Sequence, residues 1–235
     1  MWMSSDLSQY FANRILHDGT PMRIRAIRSD DKQLLARHFD GLGPDSRYNR
    51  FFGIKNGLSV QELRYFTEPD FFRHVALVAT LAGGEEPDLI VSDGRYVALE
   101  ECRSAAELGL SVVDACQRRG IGGLMLECLI GMARYQHVSR LEASVLASNR
   151  GVIRFLQRRG FRSAGTSGGV TRMGLSVEND DGGSALESMY FEASPDFSPA
   201  GQAAPEVIRD ADTNRQRRIF LRDRGWVGDV ACHWD

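Results

Sequence analysis

A glycine-rich segment in the middle of the chain carries the clearest chemical signal. It consists of Gln117, Arg118, Arg119, Gly120, Ile121, Gly122 and Gly123. An apolar run ending near Val113 precedes it, and a stretch with helical periodicity follows. Glycines let a backbone approach a phosphate closely, consecutive N–H groups can point inward together, and a helix N-terminus favours an anion. The segment therefore predicts a turn between a strand and a helix that binds a pyrophosphate.

The segment differs from two other phosphate-binding motifs. It lacks the spacing G-x-G-x-x-G of dinucleotide-binding folds, and no Gly-Lys-Ser/Thr of a P-loop follows it. On these residues alone, a glycine-rich turn that binds no ligand remains an alternative.

The flanking sequence predicts the elements that hold this turn. Arginines alternate with apolar residues over 22–27, which is typical of a strand, and capping residues followed by helical spacing predict a helix over 29–39. A second helix is expected from Ser59 to about Phe66. Further strands are predicted at 75–81, 89–91 continuing towards 96–99, 108–113, 140–147 and 170–177, and further helices at 121–136 and 149–159.

The pattern around the loop resembles the GCN5-related N-acetyltransferase (GNAT) superfamily. The loop matches its acetyl-CoA-binding motif Gln-x-x-Gly-x-Gly, and 145–149 and 155–161 match the next strand and helix. Segments 46–53, 94–96 and 106–107 resemble the catalytic domain of bacterial protein lysine acetyltransferases. The resemblance spans about residues 21–177. It implies an α/β (α+β) fold, with a mixed, mostly antiparallel sheet whose central strands splay and are flanked by helices.

The resemblance implies acetyl-CoA as a cosubstrate and assigns its contacts. Backbone groups of Leu110 and Val112 would pair with the pantetheine arm and the thioester oxygen, where an N–H stabilises an oxyanion. The segment from Arg118 to Gly123 would hold the pyrophosphate. Asn149 would contact the pantetheine, although its position also suits a helix N-cap, and both roles can coexist.

The resemblance also points to Glu107 as the catalytic base. A lysine amine is protonated at neutral pH, since its reference pKa is about 10.4, and a carboxylate must accept its proton directly or through water. Glu107 lies ten residues before Gln117, as in the lysine acetyltransferases. The alternative is an ordinary exposed acid at the start of a strand. Many members can protonate the departing thiolate with a tyrosine, where this chain has Phe155.

Three functions fit these residues. The first is transfer of acetyl to a protein lysine by direct attack, the second is transfer to a small-molecule amine, and the third is a non-catalytic acyl-CoA-binding regulatory module. The acceptor cleft could be lined by Arg47, Tyr48, Arg50, Phe51 and Phe52, but aromatic residues at such spacing are more often part of a core.

Composition excludes other classes of partner. A formal net charge of −2 gives no general attraction to nucleic acid or to an anionic membrane, and no apolar segment is long enough to span one. The four cysteines lack zinc-ligand spacing, so no metal is expected. Without a signal-peptide pattern, the sequence favours a soluble, cytoplasmic protein.

Three regions are expected along the chain. Residues 1–20 are predicted to be a peripheral N-terminal segment and 21–177 the acetyltransferase domain. Composition changes to Asp, Gly, Ser and Pro from about Glu178, which predicts a linker and an appended segment over 178–235. The oligomeric state is left open.

Overall fold

The computed structural model describes residues 6–81, 89–100, 102 and 104–177. The helices in these ranges are α1 (Lys32–Asp40), α2 (Pro44–Phe51), α3 (Val60–Thr67), α4 (Ile121–Tyr135) and α5 (Arg150–Gln157). The strands are β1 (Phe11–Ile15), β2 (Pro21–Ala26), β3 (His74–Leu81), β4 (Ile90–Ala98), β5 (Ala105–Val112), β6 (Arg140–Leu146), β7 (Arg162–Ser167) and β8 (Val170–Ser176).

The strands form one mixed, mostly antiparallel sheet. Their order is β1-β2-β3-β4-β5-β6-β8-β7, and only β5 and β6 run parallel to each other. A parallel pair needs a crossover connection, and α4 provides it between β5 and β6. The fold class predicted from the sequence is therefore confirmed.

The two faces of the sheet have different surroundings. Successive side chains of a strand point to opposite faces. A Cβ atom built on Gly94 of β4 would meet Met125 and Leu129 of α4, so this face packs against α4 through apolar contacts. The neighbouring Asp93 lies on the other face and lines a cavity together with His38 of α1. The apolar face forms the main core, whereas the face beneath α1, α2 and α3 contains buried polar groups.

The described part of the N-terminal segment, residues 6–20, packs into the domain. Residues 1–20 were expected to be peripheral, yet β1 pairs with β2 along its whole length. Leu7, Tyr10, Ala12 and Leu16 are buried in the core cluster. The sequence does not predict this packing, because the buried side chains are spread over a 3-10 helix, a strand and a turn. They therefore show no single periodicity.

Two other elements differ in detail from the sequence expectation. The apolar runs at 89–91 and 96–99 belong to one continuous strand, because β4 pairs on both sides through its polar middle residues. Edge strand β7 was not predicted, since all of its residues are exposed and its sequence has no apolar alternation. The linker and appended segment expected over 178–235 lie outside the described residues.

Candidate active site

A gap opens between β5 and β6 at the centre of the sheet. The two strands pair only from Ala105 to Glu107, which lie opposite Arg140 to Glu142. Beyond these residues β5 continues to Val112 and β6 to Leu146 without further pairing between them. The predicted splay of the central strands is therefore present.

The backbone of β5 turns polar groups towards this gap. Val113 donates its N–H to the carbonyl of Val91 at 2.9 Å, on the β4 side. Backbone groups alternate in direction along a strand, so those of Leu110 and Val112 point away from β4. The carbonyl of Val112 accepts a hydrogen bond from the Gln117 side chain at 3.1 Å. The two residues predicted to pair with a pantetheine arm thus lie with their backbones at the gap.

The glycine-rich turn begins α4 without a side-chain cap. Arg118 and Gly120 have positive φ angles of 61° and 92°, and Gly120 is the N-cap. None of the N–H groups from Arg118 to Gly122 donates to another backbone carbonyl of the described residues. Free N–H groups at the positive end of a helix dipole favour an anion. The geometry of the turn is therefore that of an anion-binding site.

Gly122 is the point where the turn, β5 and α5 meet. A Cβ atom on Gly122 would lie 3.7 Å from the side chains of both Leu110 and Val112, and 3.8 Å from the Phe155 ring. The structure thus brings the predicted loop next to the predicted strand positions. Asn149 caps α5, since its Oδ1 accepts the N–H of Val152 at 3.2 Å. A contact of Asn149 with a cosubstrate stays a prediction.

Arg159 is a charged residue of this region that the sequence did not single out. Its guanidinium lies 4.0 Å above the Phe155 ring, and a Cβ atom on Gly123 would overlap its Nη2. Its Nε is buried and has no hydrogen-bond partner among the described residues. A positive charge therefore lies at the N-terminus of α4.

The side chain of Arg119 binds the turn between β1 and β2 and is not available to a ligand. Its guanidinium donates to Asp18 at 2.9 and 2.7 Å and to Thr20 at 2.8 Å, in the turn between β1 and β2. Hydrogen bonds from Thr20, and then from Arg119, lower the pKa of Asp18 to about 2. The side chain is therefore held by the N-terminal hairpin, and only the N–H of Arg119 remains for a phosphate.

Glu107 lies at the last paired position before the gap, on the polar face. Its Oε1 accepts a hydrogen bond from the Ser144 hydroxyl of β6 at 3.1 Å. Burial raises the pKa of Glu107 to about 7, helped by the nearby Glu142, while Ser144 and Arg50 act in the opposite direction. A carboxylate with a pKa near the working pH is suited to general base catalysis.

Buried polar groups of α1 and β4 continue this face. Arg95 binds Asp93 at 3.3 and 2.5 Å and the carbonyl of Phe66 at 3.1 Å. His38 donates from Nδ1 to the carbonyl of Ile90 at 3.1 Å, and its Nε2 lies 2.9 Å from the Ser111 hydroxyl. Burial lowers the pKa of His38, which favours its neutral form. These groups are thus held by hydrogen bonds to one another and to the neighbouring backbone.

Three of the five residues considered for the acceptor cleft have clear structural partners, and one of them, Arg50, lies over the Phe51 ring at 5.4 Å. Phe51 packs against Phe39 with a ring-centroid distance of 5.6 Å, and Arg47 donates to the carbonyl of Leu42 at 2.7 Å. Tyr48 remains 47% exposed. Among the described residues no group of three or more His, Cys, Asp or Glu side chains is arranged to hold a metal ion. No helix of these residues is long and apolar enough to cross a membrane.

Known proteins with related sequences are acetyltransferases. Acetyltransferase Pat of Mycolicibacterium smegmatis is 31% identical over 116 residues, which cover 49% of this chain and 34% of that protein. The match thus spans about a third of the length of that relative. Acetyltransferase PA5475 of Pseudomonas aeruginosa is 27% identical over 136 residues, covering 57% of this chain and 72% of that protein.

Solved structures share the fold. The GNAT domain of S. lividans PAT matches with a TM-score of 0.66 and 29% identity, covering 71% of this chain and 96% of that domain. The acetyltransferase YncA of Salmonella typhimurium, solved with acetyl-CoA, matches with a TM-score of 0.54 and 18% identity, covering 68% and 96%. At this identity the second match indicates the fold alone.

The model of the acetyltransferase (GNAT) family matches residues 33–161, more than half of the chain. This range contains the gap between β5 and β6, the glycine-rich turn and Glu107. The free N–H groups of the turn and the charge of Arg159 fit the pyrophosphate of acetyl-CoA, the acyl donor of this family. The chain belongs to the acetyltransferase (GNAT) family.

Proposed function

We propose that this enzyme transfers acetyl from acetyl-CoA to the side-chain amine of a protein lysine, by direct attack, with Glu107 as the general base. The observation that supports this most is the place of Glu107. It is a partly buried carboxyl with a raised pKa, at the point where β5 and β6 separate. A thioester bound in the gap between β5 and β6 would lie near a base at this point.

The donor would be held along β5 and the turn. Leu110 and Val112 would hydrogen-bond the pantetheine arm through their backbones, and one of their N–H groups would stabilise the oxyanion of the tetrahedral intermediate. The N–H groups from Arg118 to Gly123 would bind the pyrophosphate, with the guanidinium of Arg159 beside them. Asn149 would contact the pantetheine. The free N–H groups from Arg118 to Gly122 and the charge of Arg159 support these contacts, whereas the N–H of Gly123 already donates to the carbonyl of Gly120 at 3.0 Å.

Glu107 would remove the proton that prevents attack. At neutral pH the lysine amine is mostly protonated, because its reference pKa is about 10.4. Ser144 occupies Oε1 of Glu107, and the other oxygen has no hydrogen bond from the described residues. That oxygen would accept the proton from the amine, directly or through one water. The neutral amine then attacks the thioester carbonyl, and the C–N bond forms.

Departure of the thiolate ends the reaction. The C–S bond breaks as the tetrahedral intermediate collapses, and the sulfur takes up a proton. Phe155 lies beside the turn and has no hydroxyl to provide it. A thiol pKa of about 8.5 makes a thiolate a good leaving group, so water is a sufficient donor.

The protein acceptor is supported by sequence motifs rather than by the cleft. Segments 46–53 and 94–96 resemble those of bacterial protein lysine acetyltransferases, and the relatives above include two proteins named Pat or PAT. A fold alone does not specify an acceptor. A small-molecule amine is therefore the alternative that the experiment must separate.

The test compares acceptors at equal amine concentration. The purified chain would be incubated with labelled acetyl-CoA and either a panel of folded proteins or a panel of polyamines and aminoglycosides. We expect label on protein lysines, located by peptide mass spectrometry, and little on the small amines. Acetylation of small amines alone would overturn the protein acceptor. Glu107→Gln provides the control for uncatalysed transfer, which free amines undergo at high pH.

A further inference from the structure

We propose that Arg50 is a positioning residue whose guanidinium serves as the counter-charge of Glu107 and sets the pH range in which the enzyme works. This inference rests on the role of Glu107 proposed above. Arg50 is in α2, which is 57 residues before Glu107 in the chain and on the face of the sheet where Glu107 lies.

The guanidinium of Arg50 lies flat against the backbone of β5. A Cβ atom built on Gly109 would be 2.7 Å from Nη2, 2.9 Å from Cζ and 3.0 Å from Nη1 of Arg50. Three such similar distances mean that the plane of the guanidinium faces Gly109. Any other residue at 109 would displace it, so the glycine is required by this contact.

This contact places the charge beside Glu107. Side chains two residues apart in a strand share a face, so Glu107 and Gly109 project in the same direction. Val97 of β4 lies opposite Glu107 in the register, and Arg95 lies opposite Gly109. Arg50 covers the vacant position of Gly109, between Arg95 and the carboxyl of Glu107.

The charges on this face balance only when Glu107 is ionised. Asp93 of β4 is a buried acid that binds Arg95 through two hydrogen bonds and also interacts with the charge of Arg50. Two cations and one anion leave a surplus positive charge, which an ionised Glu107 neutralises. A buried charge without a partner is costly, so the surplus of Arg50 favours the carboxylate.

Other groups around Glu107 do not replace Arg50. Glu142 of β6 lies opposite Glu107 and is itself paired with Arg140 at 2.7 Å. Ser144 donates a neutral hydrogen bond, and Arg172 of β8 lies opposite Ser144 but is exposed. Farther along the face are Tyr65 of α3, whose phenol interacts with the charge of Arg50, and two histidines. His38 hydrogen-bonds Ile90 and Ser111, and His74 lies 3.2 Å from Arg95.

The direction of the effect follows from these charges. Burial and Glu142 raise the pKa of Glu107, while Ser144 and Arg50 lower it. Without the Arg50 charge, one of the two groups that counteract the effect of burial is lost. The pKa of Glu107 therefore rises further. Because the base acts only when deprotonated, the acid side of the pH–rate profile must then move to higher pH.

The test measures kcat/KM from pH 5.5 to 9.5 for the whole chain and for Arg50→Met. We expect the acid-side inflection to move up by about one unit, since a nearby opposite charge shifts a pKa by about 1–3 units. The rate at pH 7 should fall about fivefold, as the ionised fraction of a carboxyl does when its pKa moves from about 7 to about 8, and it should recover at high pH. Arg50→Lys should keep the inflection closer to that of the wild type. An equal loss at every pH, or an unchanged inflection, would overturn the inference.

Gly109→Ala gives the same test without removing the charge from the chain. The new methyl group would push the guanidinium away from β5, and the inflection should move in the same direction as in Arg50→Met. Arg64→Met is the matched control, because Arg64 is an exposed arginine of α3 that pairs with Glu68. Its inflection should stay unchanged. Thermal unfolding of each variant identifies any that fails to fold.

A direct titration separates this inference from the proposed reaction. The carboxyl carbon of Glu107 can be followed by NMR and assigned by its absence in Glu107→Gln. A higher pKa in Arg50→Met supports the inference whatever Glu107 does in catalysis. An unchanged pKa refutes it even where Glu107→Gln is inactive. An active Glu107→Gln would refute the proposed base alone.

Discussion

Ser144 donates its hydroxyl to Oε1 of Glu107 at 3.1 Å, across the strands β5 and β6 just where their pairing ends. This bond joins the two edges of the gap at its closed end. It fixes one oxygen of the carboxyl and opposes the effect of burial on its pKa.

The pKa of Glu107, raised to about 7, predicts an activity that increases from pH 6 to pH 8. Only the ionised form accepts a proton, so the rate follows the fraction of carboxylate. Ser144→Ala removes a hydrogen bond that favours this form, and the inflection should move up by about half a unit. The measurement is kcat/KM against pH at saturating acetyl-CoA. A downward shift would contradict the contact.

The raised pKa of Glu107 also predicts that stability depends on pH. The protonated carboxyl favours the folded state, whereas catalysis requires the ionised form. A carboxyl with a raised pKa in the folded state contributes stability below its unfolded value, near 4.5, and this contribution is lost as the pH rises through about 7. Thermal unfolding of the wild type and of Glu107→Gln at several pH values would reveal it. The variant should gain on the wild type between pH 5 and pH 8.

The glycine-rich turn predicts that Gly120→Val weakens acetyl-CoA binding. Gly120 has a φ angle of 92°, which a β-branched residue adopts with strain, and the turn would lose its close approach to the pyrophosphate. Losing one charge-assisted hydrogen bond costs about 1.5–3 kcal/mol, so we expect a loss of affinity of about tenfold or more. Calorimetric titration measures it.

Gly168→Val is the control for backbone strain. Gly168 also has a positive φ angle, of 56°, but lies between β7 and β8 with no atom near the place of a Cβ. It should lose stability without losing affinity for acetyl-CoA. Equal affinity in Gly120→Val and the wild type would refute the assignment of the pyrophosphate to this turn.

Arg159 is predicted to bind a phosphate of the donor. Its guanidinium lies beside Gly123 at the N-terminus of α4, with its Nε buried and unpaired in the described part of the chain. Arg159→Gln should weaken binding of acetyl-CoA by about 10- to 100-fold, with a smaller effect on kcat. Arg158→Gln, which removes an exposed neighbouring charge, is the matched control. Equal effects of the two substitutions would indicate only general electrostatic attraction.

Local patterns predicted the turn and its neighbours because the relevant residues are close in sequence. Gly120 needs a positive φ angle, and the apolar spacing after Ile121 predicts α4 directly. Gly160, shortly after α5, has a φ angle of 88°, in the left-handed region that favours glycine. In these cases the chemistry of one residue, or the period of one helix, decides the structure.

Contacts between distant polar residues could not be predicted in this way. Arg119 and Asp18 are 101 residues apart, and Arg50 reaches Gly109 from another element. Periodicity indicates which face of a strand or helix is buried, but not which charged side chains meet across it. The partners of the arginines therefore required the structure.

Deletion of residues 180–235 should leave a folded domain. The last described strand, β8, pairs on both sides, with β6 and with β7, and Val177 after it is buried. A composition change follows at about Glu178. We expect the shortened chain to retain a cooperative thermal transition and to bind acetyl-CoA. Loss of that transition would place the domain boundary farther towards the C-terminus.

Glu107→Gln should bind acetyl-CoA almost as the wild type does and transfer acetyl far more slowly at pH 7. The substitution keeps the size of the side chain and an oxygen for Ser144, but it removes the proton acceptor. A positioned general base typically contributes ~100- to 10,000-fold to the rate, so the loss should appear in kcat. Single-turnover measurements with a protein acceptor would determine it.

The pH dependence of this variant distinguishes a base from a residue that only positions the acceptor. A higher pH provides more unprotonated amine without help from the enzyme, so the rate of Glu107→Gln should rise more steeply with pH than that of the wild type. A residue that only orients the lysine would, when replaced, lower the rate by the same factor at every pH. Wild-type turnover of Glu107→Gln at pH 7 would exclude Glu107 as the base, and the amine would then have to lose its proton to another group or to water.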